Sequence, residues 1–235
     1  MVGKHCGRNR GKGSTMSPLQ VAAAELTSLR PVPGFGTKTI YRGVAPQATD
    51  AAYAGQLRLR GITTLIDLRE PREIPREPLG AIDGLRYRGI PLYCGQNPSD
   101  RTLSENQRIL LDGRGARLVA ALRVIAQPAD GNTAVVCQSG GKRTGLVIAL
   151  LLEAMGVARE LIIADYASAV REPAYGPPGH IAAALNGTLD WLVESYGSVT
   201  GYLLSKGLTG AELHRLLELG TDARASTVRP LVASS

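Results

Sequence analysis

The chain has 235 residues, 44% of them hydrophobic, and a formal net charge of +7, which is ample for one sizeable core. It holds no apolar run able to span a bilayer, and its three cysteines, Cys6, Cys94 and Cys137, are too few and too odd a number for a disulfide framework. Aromatic residues are 4% of the chain and do not interleave with a basic stripe, so a specific nucleic-acid partner is not expected, whereas the positive balance suits anionic substrates.

Residues 1–17 carry Lys4, Arg8, Arg10 and Lys12 among glycines and read as a disordered basic tail with no apolar segment behind it. A cytoplasmic setting is therefore expected. A single domain is expected over residues 18–220, followed by a flexible tail at 221–235. Pro18 sits at the first position of a short helix reaching residue 29. Residues 37–41 read as a strand, Asp50 caps a helix running to Arg60, and Gly61 ends it.

The apolar, β-branched run 62–68 has the pattern of a buried strand. A charged, proline-bearing loop covers 69–78, and a second strand covers 85–93. A polar loop at 95–101 leads into helical sequence from Thr102 or Ser104 to about Ala126, with a break expected near Gly113 and Gly115. Residues 132–137 form the central strand, and 143–155 a helix apolar nearly all round, which predicts burial. Further helices are expected over 158–171, 181–196, 199–206 and 209–218. The fold class is α/β, a mostly parallel central sheet flanked by helices.

Chemistry concentrates between the central strand and the buried helix, in Cys137-Gln138-Ser139-Gly140-Gly141-Lys142-Arg143-Thr144. A tight glycine-bearing loop at a helix N-terminus points backbone N–H groups at one spot, where an anion binds. Those dipoles and a nearby guanidinium favour a cysteine facing the spot as its thiolate. The planar fork of Arg143 suits two oxygens of one phosphate. Gln138, Ser139, Gly140 and Gly141 contribute backbone amides, and the glycines let the backbone approach the ligand closely. Lys142 either faces a second phosphate or is a solvated loop lysine.

Cysteine, five residues, arginine and then threonine is the mark of the cysteine-dependent tyrosine phosphatase superfamily, which the chain resembles; neither Cys6 nor Cys94 is followed by arginine at that spacing. More narrowly it looks like the bacterial tyrosine, dual-specificity and phosphoinositide phosphatase branch. The matching stretches are Tyr41-Arg42, the run from Gly61 through Ile66-Asp67-Leu68-Arg69-Glu70, Asp165-Tyr166, Tyr196-Gly197, Tyr202-Leu203 and Gly207-Leu208, all in the branch's order. Two positions depart: Val136 stands where the branch has histidine, and Gly141-Lys142 where it has Lys-Asp.

The resemblance implies phosphomonoester hydrolysis through a phosphocysteine on Cys137, with Arg143 binding the phosphate and Thr144 hydrogen-bonding the sulfur. It needs no metal or other cofactor, and no histidine here sits at zinc-ligand spacing. The proton donor is expected on a neighbouring loop, and Asp100 is the candidate; its alternative role is a helix N-cap. Asp67 reads as a partner for a neighbouring arginine, and Asp165 and Tyr166 as helix packing. The substrate is expected to be a phosphorylated protein. The alternatives are a phosphoinositide or inositol phosphate, motivated by Lys142, and a phosphate-binding pseudophosphatase, motivated by Val136 and the missing loop aspartate.

Overall fold

The computed structural model describes residues 29–35, 38–46, 51–74, 82–95 and 101–227. The tail at 1–17, nearly all of the helix expected over 18–29, the Asp50 cap and Asp100 lie outside these residues.

Five strands form one sheet: β1 (Arg30–Pro31), β2 (Ile40–Val44), β3 (Ile62–Asp67), β4 (Arg86–Gly89) and β5 (Asn132–Cys137). Their spatial order is β1-β2-β5-β3-β4, with β1 antiparallel to β2 and every other pairing parallel. The helices are α1 (Ala51–Leu59), α2 (Leu103–Ile125), α3 (Lys142–Ala154), α4 (Arg159–Ala169), α5 (Pro178–Tyr196), α6 (Val199–Ser205) and α7 (Gly210–Thr227).

β5 is central and buried on both faces, which is why its sequence reads as a continuous apolar run. Successive side chains alternate between two cores. Val135 and Cys137 join the large core under α2, α3 and α5, while Ala134 and Val136 join a smaller one with Tyr53 and Leu57 of α1 and Leu65 of β3. Val136 is thus a core residue on the face away from the helix that follows. α3 is enclosed as its composition predicts: Leu146, Val147, Ile148, Leu150, Leu151 and Leu152 are all buried.

Several expected boundaries move. β2 begins at Ile40 and runs to Val44 because its register follows Thr133 to Cys137 of β5. β4 is only four residues, all exposed, as befits an edge strand. The expected break in the long helix is a kink: Arg114 has φ −132° and ψ 16°, yet α2 continues through it. The cap of α2 is Thr102, whose hydroxyl accepts from the Glu105 amide while Glu105 reaches back to the Thr102 amide. That position is therefore not taken by Asp100. α7 runs past Gly220 to Thr227, so the tail expected from residue 221 is helical for its first part. Gly220 marks a close approach and not a stop, since a Cβ there would lie 2.6 Å from the Met155 methyl.

Candidate active site

Strands β2, β3 and β5 are parallel, so Val44, Asp67 and Cys137 end at the same edge of the sheet. In parallel α/β sheets ligands bind outside that edge. Here β5 gives way to the loop 138–141 and then to α3. Gly140 has φ +67°, and a Cβ on it would sit 2.7 Å from the Gly43 carbonyl carbon, so only glycine allows the loop to lie against β2. Gly145 is close-packed too, with the Tyr166 ring 2.6 Å from where a Cβ would be.

The loop's outer side is fixed by buried charge. Arg42 of β2, 1% exposed, donates through Nη2 to the carbonyls of Gly140 (2.9 Å) and Gly141 (3.3 Å), and through Nη1 to Asp165 of α4. Asp165 also accepts from Arg30 of β1 at 2.6 Å. With both carbonyls turned towards Arg42, the amides of Gln138, Ser139 and Gly140 donate to no acceptor among the described residues. The first amides of α3 have no intrahelical partner either.

Gln138 and Ser139 border a cavity of about 140 Å³ that is also lined by Glu73, Tyr93, Cys137, Lys142, Arg143 and Glu172. Sites for drug-sized ligands are larger, ~300–1,000 Å³; this one suits a small group such as a phosphate. Arg143 is 5% exposed and forms a fork with Glu73, Nη1 at 2.5 Å and Nη2 at 2.7 Å, while Nη1 also donates to the Leu68 carbonyl at 3.2 Å. Of the guanidinium's five N–H donors, the Nε edge with the second Nη2 proton stays open among the described residues. That edge is the bidentate face for a tetrahedral anion.

The electrostatics follow from the packing. Burial pushes the Glu73 carboxyl up, but hydrogen bonds from Arg143 and the Glu70 amide outweigh it and hold Glu73 below its ordinary value. Burial disfavours the Arg143 charge, yet Glu73 and a thiolate at Cys137 together raise its pKa. Burial also raises the Tyr93 hydroxyl, against the opposing pull of Arg143.

Seven buried side-chain polar atoms have no hydrogen-bond partner among the described residues, and three of them belong to Tyr93, Thr144 and Glu172, at or beside the loop: the Tyr93 hydroxyl, Thr144 Oγ1 and one carboxylate oxygen of Glu172. The Tyr93 and Glu172 atoms belong to residues that line the cavity.

Comparison with known proteins shows the family. A family model described as the tyrosine phosphatase family matches residues 35–173, more than half of the chain. The chain belongs to the tyrosine phosphatase family. The triple specificity protein phosphatase PtpB of Mycobacterium tuberculosis is 25% identical, over 81% of this chain and 91% of its own length. Among solved structures, the core catalytic domain of the PP-IP phosphatase SIW14 from S. cerevisiae is 16% identical with a TM-score of 0.41, covering 72% of this chain and 96% of that one. Human DUSP28 is 20% identical with a TM-score of 0.37, covering 66% and 94%.

In this phosphatase, Cys137, Gln138, Ser139, Lys142 and Arg143 come together at the cavity, with Gly140 and Gly141 forming the buried turn behind it. Thr144 is buried immediately after Arg143, its hydroxyl turned to no other described residue. Lys142 Nζ donates to the Tyr175 hydroxyl at 2.6 Å. Asp67 pairs with Arg69 at 2.8 Å, as its place at a strand end predicts, and takes no part in the cavity. Asp165 does more than pack a helix, because it holds the arginine that holds the loop.

Sequence reading misses Glu73, Tyr93 and Glu172. Glu73 sits in a charged loop where any of several carboxylates could reach Arg143. Tyr93 and Glu172 come from segments whose approach to the loop only the tertiary fold decides. Tyr41-Arg42 was legible as a motif, but nothing in its spacing tells that Arg42 points at the loop carbonyls.

Proposed function

We propose that this phosphatase hydrolyses phosphomonoesters through a phosphocysteine on Cys137, acting as a protein-tyrosine or dual-specificity phosphatase. The observation that carries the reading is the convergence of unpartnered loop amides and the open edge of Arg143 on one small cavity that includes Cys137. The Cys137 thiolate attacks phosphorus in line with the leaving oxygen, and water then attacks the phosphocysteine. The unpartnered loop amides, the first amides of α3 and the Arg143 edge carry the three equatorial oxygens, so most of the catalysis is positioning and charge stabilisation. The Thr144 hydroxyl, lacking any other partner, donates to the sulfur as it departs in the second step. Asp100, shortly before α2 in the sequence, is the sequence's candidate for proton transfer. A thiolate nucleophile works in a reducing compartment, for which the cytoplasm is the proposed setting.

Lys142 beside Arg143 favours one second reading, a phosphoinositide or inositol phosphate substrate whose further phosphate meets that ammonium. Replacing Cys137 by Ser is expected to abolish hydrolysis of aryl phosphates while leaving the melting temperature close to wild type; persistent turnover would show that sulfur is not the nucleophile. Comparing kcat/KM on phosphotyrosine peptides and inositol phosphates separates the two substrate classes, and Lys142→Ala is expected to weaken the second more than the first.

A further inference from the structure

We infer that Glu172 transfers the proton in this reaction, giving it to the leaving oxygen in the first step and recovering it from water in the second; the inference rests on the cysteine mechanism proposed above. Two carboxylates line the cavity with Cys137, those of Glu73 and Glu172. Glu73 is committed. Both its oxygens accept from Arg143, one also accepts from the Glu70 amide at 2.7 Å, and it has no proton to give.

Glu172 is placed differently. One oxygen accepts from the Ser139 hydroxyl at 2.9 Å, and the other is buried without any partner among the described residues. Leaving a buried polar atom unsatisfied is costly, and is tolerated where a ligand completes the site. The backbone segment that carries Glu172 is itself pinned to the loop. Pro173–Tyr175 forms a 3₁₀ turn, and the Tyr175 hydroxyl accepts from Lys142 while its ring lies 4.6 Å from the same ammonium. Ser139 on one side and Lys142 on the other therefore hold Glu172 over the cavity.

A phosphate ester entering this cavity brings negative charge against the Glu172 carboxylate. Lining the cavity, the Glu172 carboxyl stands where the leaving oxygen of that ester departs, which is the position a proton donor needs. In the first step the sulfur–phosphorus bond forms and the phosphorus–oxygen bond to the leaving group breaks, and the departing oxygen takes the proton from Glu172. In the second step water oxygen bonds to phosphorus, the electron pair of the sulfur–phosphorus bond returns to Cys137 as thiolate, and the water proton passes to the Glu172 carboxylate. Enzyme and proton inventory are restored, and phosphate is released.

The test is the dependence of turnover on leaving-group acidity, measured on the full chain with a series of aryl phosphates. Glu172→Gln keeps an oxygen for Ser139 but has no proton to transfer. It is expected to lower kcat with phenyl phosphate by about 100-fold or more, shrinking to less than about 10-fold with strongly acidic nitrophenols that leave unaided. Glu172→Asp, which keeps the acid, is expected to recover part of the shallow dependence. A fall of equal size across the series would reduce Glu172 to an anchor for Ser139 and overturn the inference. So would steepening in Asp100→Asn with Glu172→Gln unchanged. Cys137→Ser run beside them keeps the two levels apart: if it still turns over, the cysteine mechanism itself fails, and if it is inert, only the donor is in question.

Discussion

Arg143 has two obligations, and its five donors divide between them. The fork to Glu73 and the bond to the Leu68 carbonyl fix where the guanidinium sits, which leaves the Nε edge for the substrate. Glu73 is thus a positioning residue, and Glu73→Gln is expected to lower kcat/KM by about 10- to 100-fold while Cys137 remains intact, because small misplacements of a binding group are costly in rate. Steady-state kinetics on an aryl phosphate check it. The same pair sets a pH dependence. Glu73 in the folded chain titrates below its ordinary 4.5, so its contribution to stability is present above that value and lost as pH falls through the lower, folded one. The gap in melting temperature between wild type and Glu73→Gln should therefore hold steady at neutral pH and close in acid; a gap that widens in acid would contradict the assignment.

At the scale of elements, the loop is shaped less by its own residues than by the strand and helix that grip it. Arg42 from β2 and Asp165 from α4 form a buried pair, 1% and 8% exposed, through which the loop carbonyls are turned outward and its amides inward. Removing one partner of such a pair strands a buried charge. Asp165→Ala is expected to lower stability by ~3–5 kcal/mol, measured by chemical denaturation, and to weaken phosphate binding. Asp112→Ala, which breaks an exposed pair with Arg108 spanning 3.7 Å, should cost ~1 kcal/mol or less.

This division explains what could be read in advance. The buried strand, the glycine-bearing loop and the enclosed helix α3 each carry their signal locally, as apolar runs and as a fixed spacing from Cys137 to Arg143, and the structure has them in place. Glu73, Tyr93 and Glu172 reach the cavity from the segments after β3, after β4 and after α4, and no local period encodes that meeting. The kink at Arg114 falls where Gly113 and Gly115 lead one to expect a break, whereas α7 runs on through Gly220, which packs closely against Met155.

On the scale of the whole molecule, a parallel sheet gathers three strand ends at one edge, and a single buried helix starts there with its amides facing outward. The remaining helices serve to bury that helix and to deliver Asp165 and Glu172 to the loop. The net charge of +7 adds a long-range attraction for anionic substrates. Added salt should therefore lower kcat/KM for a phosphopeptide while saturating kcat changes little, since screening acts on encounter and not on the buried site. The central claim is that phosphorus passes through the sulfur of Cys137. Rapid mixing with an aryl phosphate, acid quench and peptide mapping by mass spectrometry tests it most directly. The account predicts a transient phosphoryl adduct on the Cys137 peptide that forms and decays at rates consistent with turnover; a phosphoryl group on another residue, or turnover with no adduct accumulating even when hydrolysis of the intermediate is rate-limiting, would contradict it.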